Sequence, residues 1–198
     1  MRPYPILILC VALLLGACAA DETPKDPFLF RLEFVATSET EGTTPIGDRT
    51  VIASGTSLRV VLERLGTGRV YLIHRDPDDA ITVLYPHKGQ LAQQERQVTI
   101  LDSRLDDKTG LETFHLIASE KPLEQLERAI SDVHDGKEGV ASALKAEVLA
   151  LRKRHESMTA KAWRPAPIGG QMRSGGDPDA VEYTVRGALC RTYTIDHR

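Results

Sequence analysis

Residues 54–89 read SGTSLRVVLERLGTGRVYLIHRDPDDAITVLYPHKG, and residues 110–123 read GLETFHLIASEKPL. These two stretches decide the fold. Leu58, Val60 and Leu62 alternate with Arg59 and Glu63, which predicts a half-buried strand over 57–64. Gly66-Thr67-Gly68 is a hairpin-type turn. Val70 to Ile73 is apolar at every position and predicts a strand covered on both faces. Asp76-Pro77-Asp78-Asp79 is a second turn, because Pro77 has no N–H to give a ladder. Ile81 to Tyr85 is the next strand, closed by Pro86. Glu112 to Ala118 is another, ending at Ser119. Gly68 and Gly110 read as glycines that relieve backbone strain at turns.

Phe28, Phe30, Leu32 and Phe34 alternate with Arg31 and Glu33, so 28–36 is a further half-buried strand. Thr37 to Asp48 is turn-rich and reads as a solvated loop; Val51-Ile52 is a short pairing segment. Lys88 to Gln97 is polar, Val98 to Leu101 a short strand, and Asp102 to Gly110 a charged loop. Beyond Pro122, placed where a first helical turn accepts proline with Ser119 helping to cap, Leu123, Leu126, Ile130 and Val133 recur at helical spacing. Asp135-Gly136 interrupts that stripe. Val140, Leu144, Val148 and Leu151 form a second one, and Arg152-Lys153-Arg154 suits a helix C-terminus. Arg164 to Pro178 is rich in Pro and Gly and reads as loop. Val181, Tyr183 and Val185 alternate again, Gly187 turns, and Leu189 to Ile195 is the last strand. Eight or nine strands with one helical pair predict a mainly β fold: a β-sandwich or partly open β-barrel with an inserted helical pair near 122–158.

The N-terminus carries an address. Arg2 precedes the apolar run Ile6 to Leu15, which is shorter than the roughly 20 residues needed to span a bilayer but suits a signal peptide. Leu15-Gly16-Ala17-Cys18 then resembles the lipobox of bacterial lipoproteins. That resemblance implies removal of residues 1–17 and lipidation of Cys18. Ala19 to Pro27 (AADETPKDP) reads as a tether, and 28–198 as a single β-rich domain. Ala19 after the lipidated cysteine resembles the pattern of outer-membrane lipoproteins facing the periplasm. An ordinary secretory signal is the competing interpretation. With Cys10 removed and Cys18 lipidated, Cys190 has no cysteine partner for an intramolecular disulfide.

Several pieces of the central block together are similar to the domain of unknown function 4384 family. They are Gly55-x-x-Leu58-x-Val60, Gly68-x-Val70-Tyr71-Leu72, Val83-Leu84-Tyr85-Pro86 and Gly110-x-Glu112-x-Phe114-x-Leu116-Ile117-Ala118-Ser119-x-x-Pro122-Leu123. The chain departs from that family at Arg69, where an aromatic is common, and at Asp79-Ala80, where a turn glycine is common. The resemblance implies a β-rich accessory domain of the bacterial envelope and carries over no catalytic residues.

The chemistry-bearing residues read as structural. A formal net charge of −3 leaves no basic footprint for nucleic acid. His74-Arg75-Asp76 copies a kinase tripeptide, but Ile81 stands where the required Asn would be. Asp76, Asp78 and Asp79 offer oxygens to Ca²⁺ without the Gly and distal Glu of an EF-hand loop, and a solvated turn is the simpler reading. His74, His87 and His115 have no metal-ligand spacing. Cys190 reads as a small buried strand residue rather than a nucleophile. No Gly-x-Ser-x-Gly, His-Glu-x-x-His or phosphate-loop motif occurs. The expectation is a membrane-anchored, non-enzymatic accessory or binding domain without cofactor or metal. Its partners would be the membrane, through its lipid, and an envelope protein or cell-wall polymer. Alternatives are an unrecognised cell-wall hydrolase resting on Cys190 or the histidines, and a structural subunit of an envelope complex.

Overall fold

The computed structural model describes residues 27–40, 42–105, 108–155 and 180–198. Cys18, the signal segment, the tether up to Asp26 and the Arg164–Pro178 loop lie outside them. The described residues form ten strands and two helices. β1 (Phe28–Ser38), β2 (Gly42–Pro45), β4 (Ser57–Arg64), β7 (Gln97–Arg104) and β9 (Ala180–Val185) make one sheet. Its order is β2-β1-β4-β7, with β9 pairing the first half of β1 on the side β2 takes further along. β3 (Thr50–Ile52), β10 (Ala188–His197), β8 (Gly110–Ser119), β5 (Arg69–Arg75) and β6 (Ile81–Tyr85) make the second, in that order. The two sheets stay separate, so the fold is a sandwich and the barrel alternative does not apply.

Alternation in the sequence becomes the core between the sheets. Phe28, Phe30, Leu32, Phe34, Leu58, Val60 and Leu62 of the first sheet meet Val70, Leu72, Phe114, Leu116, Leu189 and Ile195 of the second. Phe34 stands edge-on to both Phe114 and Tyr193. Tyr183 and Tyr193 join hydroxyls inside this core, and Arg191 lies over both rings.

The helices α1 (Glu124–His134) and α2 (Val140–His155) form a third layer. Leu126, Ile130, Leu144, Val148 and Leu151 pack on Tyr71, Ile73, Ile117 and Cys190, on the outer face of the second sheet. Val70 to Ile73 is therefore covered on both faces, as its apolar run predicts: Val70 and Leu72 by the other sheet, Tyr71 and Ile73 by the helices.

Several expectations are corrected. Thr37–Asp48 contains the end of β1 and all of β2, whose exposed residues pair through backbone with Val35–Ser38. β7 continues to Arg104, into the segment read as a charged loop. The short Val51-Ile52 segment does pair as expected, parallel to the end of β10. Ser119 does not cap α1. Its hydroxyl donates to Lys121 O at 2.6 Å, Pro122 precedes the N-cap residue Leu123, and Leu123 N–H donates to Tyr71 Oη at 3.4 Å.

Strand direction gives the sandwich two ends. The near end gathers Pro27, the start of β1, the Gly66–Gly68 turn, the end of β8 and the Gly187 turn, where Glu120 N–H donates to Gly187 O at 3.0 Å. The far end gathers the β3–β4 turn, the Asp76–Ala80 turn, Gly110 and the C-terminus.

Candidate interaction surface

The three histidines of the central block are held apart by strand parity. His74 pairs with Phe114 across β5 and β8, whereas His115 pairs with Ile73. Cross-strand partners share a face, so His74 faces the sandwich core and His115 faces the helices. His74 hydrogen-bonds through Nε2 with the Glu112 carboxylate and stacks on Phe114, ring centroids 4.6 Å apart. His115 is buried, with Nδ1 3.2 Å from Thr192 Oγ1. Desolvation, reinforced by the charges of Arg75 and then Arg152, lowers its pKa to about 4. His87 is exposed, on the loop after Tyr85. Among the described residues, no group of three His, Cys, Asp or Glu side chains is arranged to hold a metal ion.

The acidic turn is occupied by cations of the same chain. Lys108 contacts Asp76 at 3.1 Å and Asp78 at 2.5 Å. Arg75 contacts Asp79 at 3.0 Å, and Lys145 reaches Asp79 from α2. Asp76 also accepts from Ala80 N–H at 2.8 Å, and this bond is the main cause of its lowered pKa. Lys145, then Arg75, holds the Asp79 carboxyl below its ordinary range. The turn thus joins β5 to α2. Cys190 is a buried thiol in the helix-facing core, opposite Ile117.

One pair was not legible in the sequence. Ser54, exposed on the β3–β4 turn, places Oγ 3.0 Å from Nε2 of the buried His197. The distance suits a nucleophile and its base. The surroundings do not complete such a site. Among the described residues His197 Nδ1 is buried with no hydrogen-bond partner, so none of them orients the ring from that side. The neighbouring donors are already committed: Ser54 N–H to Arg198 O at 2.8 Å, Gly55 N–H to Leu105 O at 3.2 Å and Thr56 N–H to Ala53 O at 3.2 Å. None of the three is left to receive an oxyanion. The pair fastens the C-terminal strand to the β3–β4 turn. Its members lie 143 positions apart, with no local spacing to reveal them.

The far end also carries the most exposed large apolar side chains. Val51 is 56% and Leu111 53% exposed. Both are in register with Asp196, so the row Val51–Asp196–Leu111 crosses β3, β10 and β8 on the outer face. Arg198 flanks the row, donating to Asp196 at 2.6 and 2.9 Å. Among the described residues, no helix is long and apolar enough to cross a membrane. No protein family, curated protein or solved structure matches the chain.

Proposed function

We propose that this chain is a non-enzymatic accessory domain of the bacterial envelope. It is held to the outer membrane by lipid on Cys18, faces the periplasm, and binds an envelope protein or cell-wall polymer through its far end. Strand polarity carries this conclusion. β1 begins directly after the tether, so the near end faces the anchor while Val51, Asp196 and Leu111 stand at the opposite end. The lipobox resemblance and the similarity of residues 55–123 to domain of unknown function 4384 support the same reading. A tether places one end of a domain at the membrane and leaves the other to meet partners.

In-cell photocrosslinking tests it. A photoreactive residue at Leu111 is expected to give a discrete adduct that disappears in the Val51→Glu background. The same residue at Leu149, which is 46% exposed on α2, is expected to give none. Equal adducts from both positions, or none from Leu111, would count against a far-end binding surface.

A further inference from the structure

We infer that the near end of the sandwich rests on the bilayer interface, through a mainly apolar groove at the point where the tether leaves; this rests on the lipid-anchor reading of Cys18. The groove has a volume of about 550 Å³ and is lined by Pro27, Phe28, Leu29, Leu65, Thr67 and Glu120 together with the glycines of the Gly66–Gly68 turn. Leu65 N–H donates to Leu29 O at 2.9 Å, which sets the turn beside the start of β1. Pro27 is both a wall of the groove and the last residue of the tether.

The tether decides the occupant. Ala19 to Pro27 is nine residues, a reach of about 30 Å at full extension and about 15–18 Å for a flexible chain. The lipid on Cys18 therefore keeps the groove close to the membrane surface. The tether itself is a poor filling, because Asp21, Glu22, Lys25 and Asp26 would have to lose water there. The apolar material within reach is the boundary between headgroups and acyl chains.

Charge decides the character of the contact. Arg96, Lys121 and Arg186 are exposed at or beside this end. Glu95 and Glu124 are exposed near them, and Glu120 lies on the groove. Arg64, bonded to Gly68 O, and Arg69, paired with Glu127, are part-exposed at the same end; cations and anions nearly balance, so the contact depends little on anionic lipid or on salt.

The test uses the full-length lipidated protein in zwitterionic vesicles containing headgroup-spin-labelled lipid. A fluorophore is attached at Thr67→Cys in the near-end turn or at Ala53→Cys in the far-end turn. Both positions are exposed, while Cys190 is buried. The expected result is strong loss of fluorescence from position 67, unchanged by high salt, and little loss from position 53. If protein that floats with the vesicles shows equal quenching at both positions, or quenching at 67 that salt abolishes, the membrane-facing groove is overturned while the anchor stands. If the protein does not float with vesicles at all, the anchor and the groove contact fall together. A Leu65→Asp variant with the Thr67→Cys label is expected to lose quenching while still floating; retained quenching would overturn the groove's role.

Discussion

At Gly68 a Cβ atom would lie 2.2 Å from the Phe28 ring. The glycine is there for close approach of the hairpin to β1, and its φ is not left-handed. Gly110 meets both demands, with φ +141° and Pro77 Cβ 2.6 Å from where a side-chain Cβ would stand. Gly68→Ala is expected to destabilise the fold by at least about 1–3 kcal/mol, the usual cost of overpacking. Gly66→Ala, whose nearest contact would be 3.4 Å, is expected to cost less. Urea unfolding of the two variants gives the ranking. His115 sets a second expectation at this scale. Its imidazole stays neutral in the fold down to about pH 4, whereas the unfolded chain takes the proton near 6.5. Between those values the unfolded state binds more protons. The contribution is therefore complete above pH 6.5, declines as pH falls towards 4, and is on the order of 3 kcal/mol across the window. His115→Gln is expected to flatten the stability–pH curve between 6.5 and 4 in denaturant titrations; an unchanged slope would show that His115 is not its source.

One strand residue adds a polar fastening to the packed helical pair. Tyr71 Oη donates to Glu127 Oε1 at 2.7 Å and accepts from Leu123 N–H, so one hydroxyl holds the first turn of α1 to the second sheet. Tyr71→Phe keeps the ring in the helix-facing core and removes both bonds. The expected cost is about 1 kcal/mol. In hydrogen exchange, amides of α1 are expected to lose protection before those of β8. Arg69 plays a comparable local role. Its guanidinium donates to Leu91 O at 2.8 Å and Ala92 O at 2.9 Å. Gln94 completes that strap, its amide bonding both Val70 N–H at 3.0 Å and Val70 O at 2.9 Å. The polar stretch before β7 is thus pinned to the edge of β5. β2 and the end of β7 escaped sequence reading for a related reason: their side chains are exposed, and backbone pairing alone makes them strands.

For the whole molecule, the proposed function rests on which end meets what. If Cys18 carries the proposed lipid, Cys18→Ser is expected to move the protein from the membrane to the soluble fraction on cell fractionation. An equally membrane-bound variant would remove the basis for assigning a near and a far end. The charged outer face of the first sheet adds little to such contacts. Arg31 bridges Glu63 at 3.3 Å and Glu182 at 3.1 Å, and part-exposed pairs of this kind contribute about 0–1 kcal/mol.

By itself the sequence determined which segments bury one face and where glycine and proline end them, and it raised the expectation of a lipid anchor at Cys18. Those features are local: alternation at period 2, stripes at period 3.6 and a short N-terminal pattern. Only the tertiary structure decided that the strands form two sheets, that the helices cover the second one, and that β3 runs parallel to β10. It also decided the parity that sends His74 and His115 to opposite faces, the Ser54–His197 contact, and the row formed by Val51, Asp196 and Leu111. The physical reason is that sheet pairing joins residues far apart in the chain through backbone hydrogen bonds common to every residue type, so register is fixed by the packed whole.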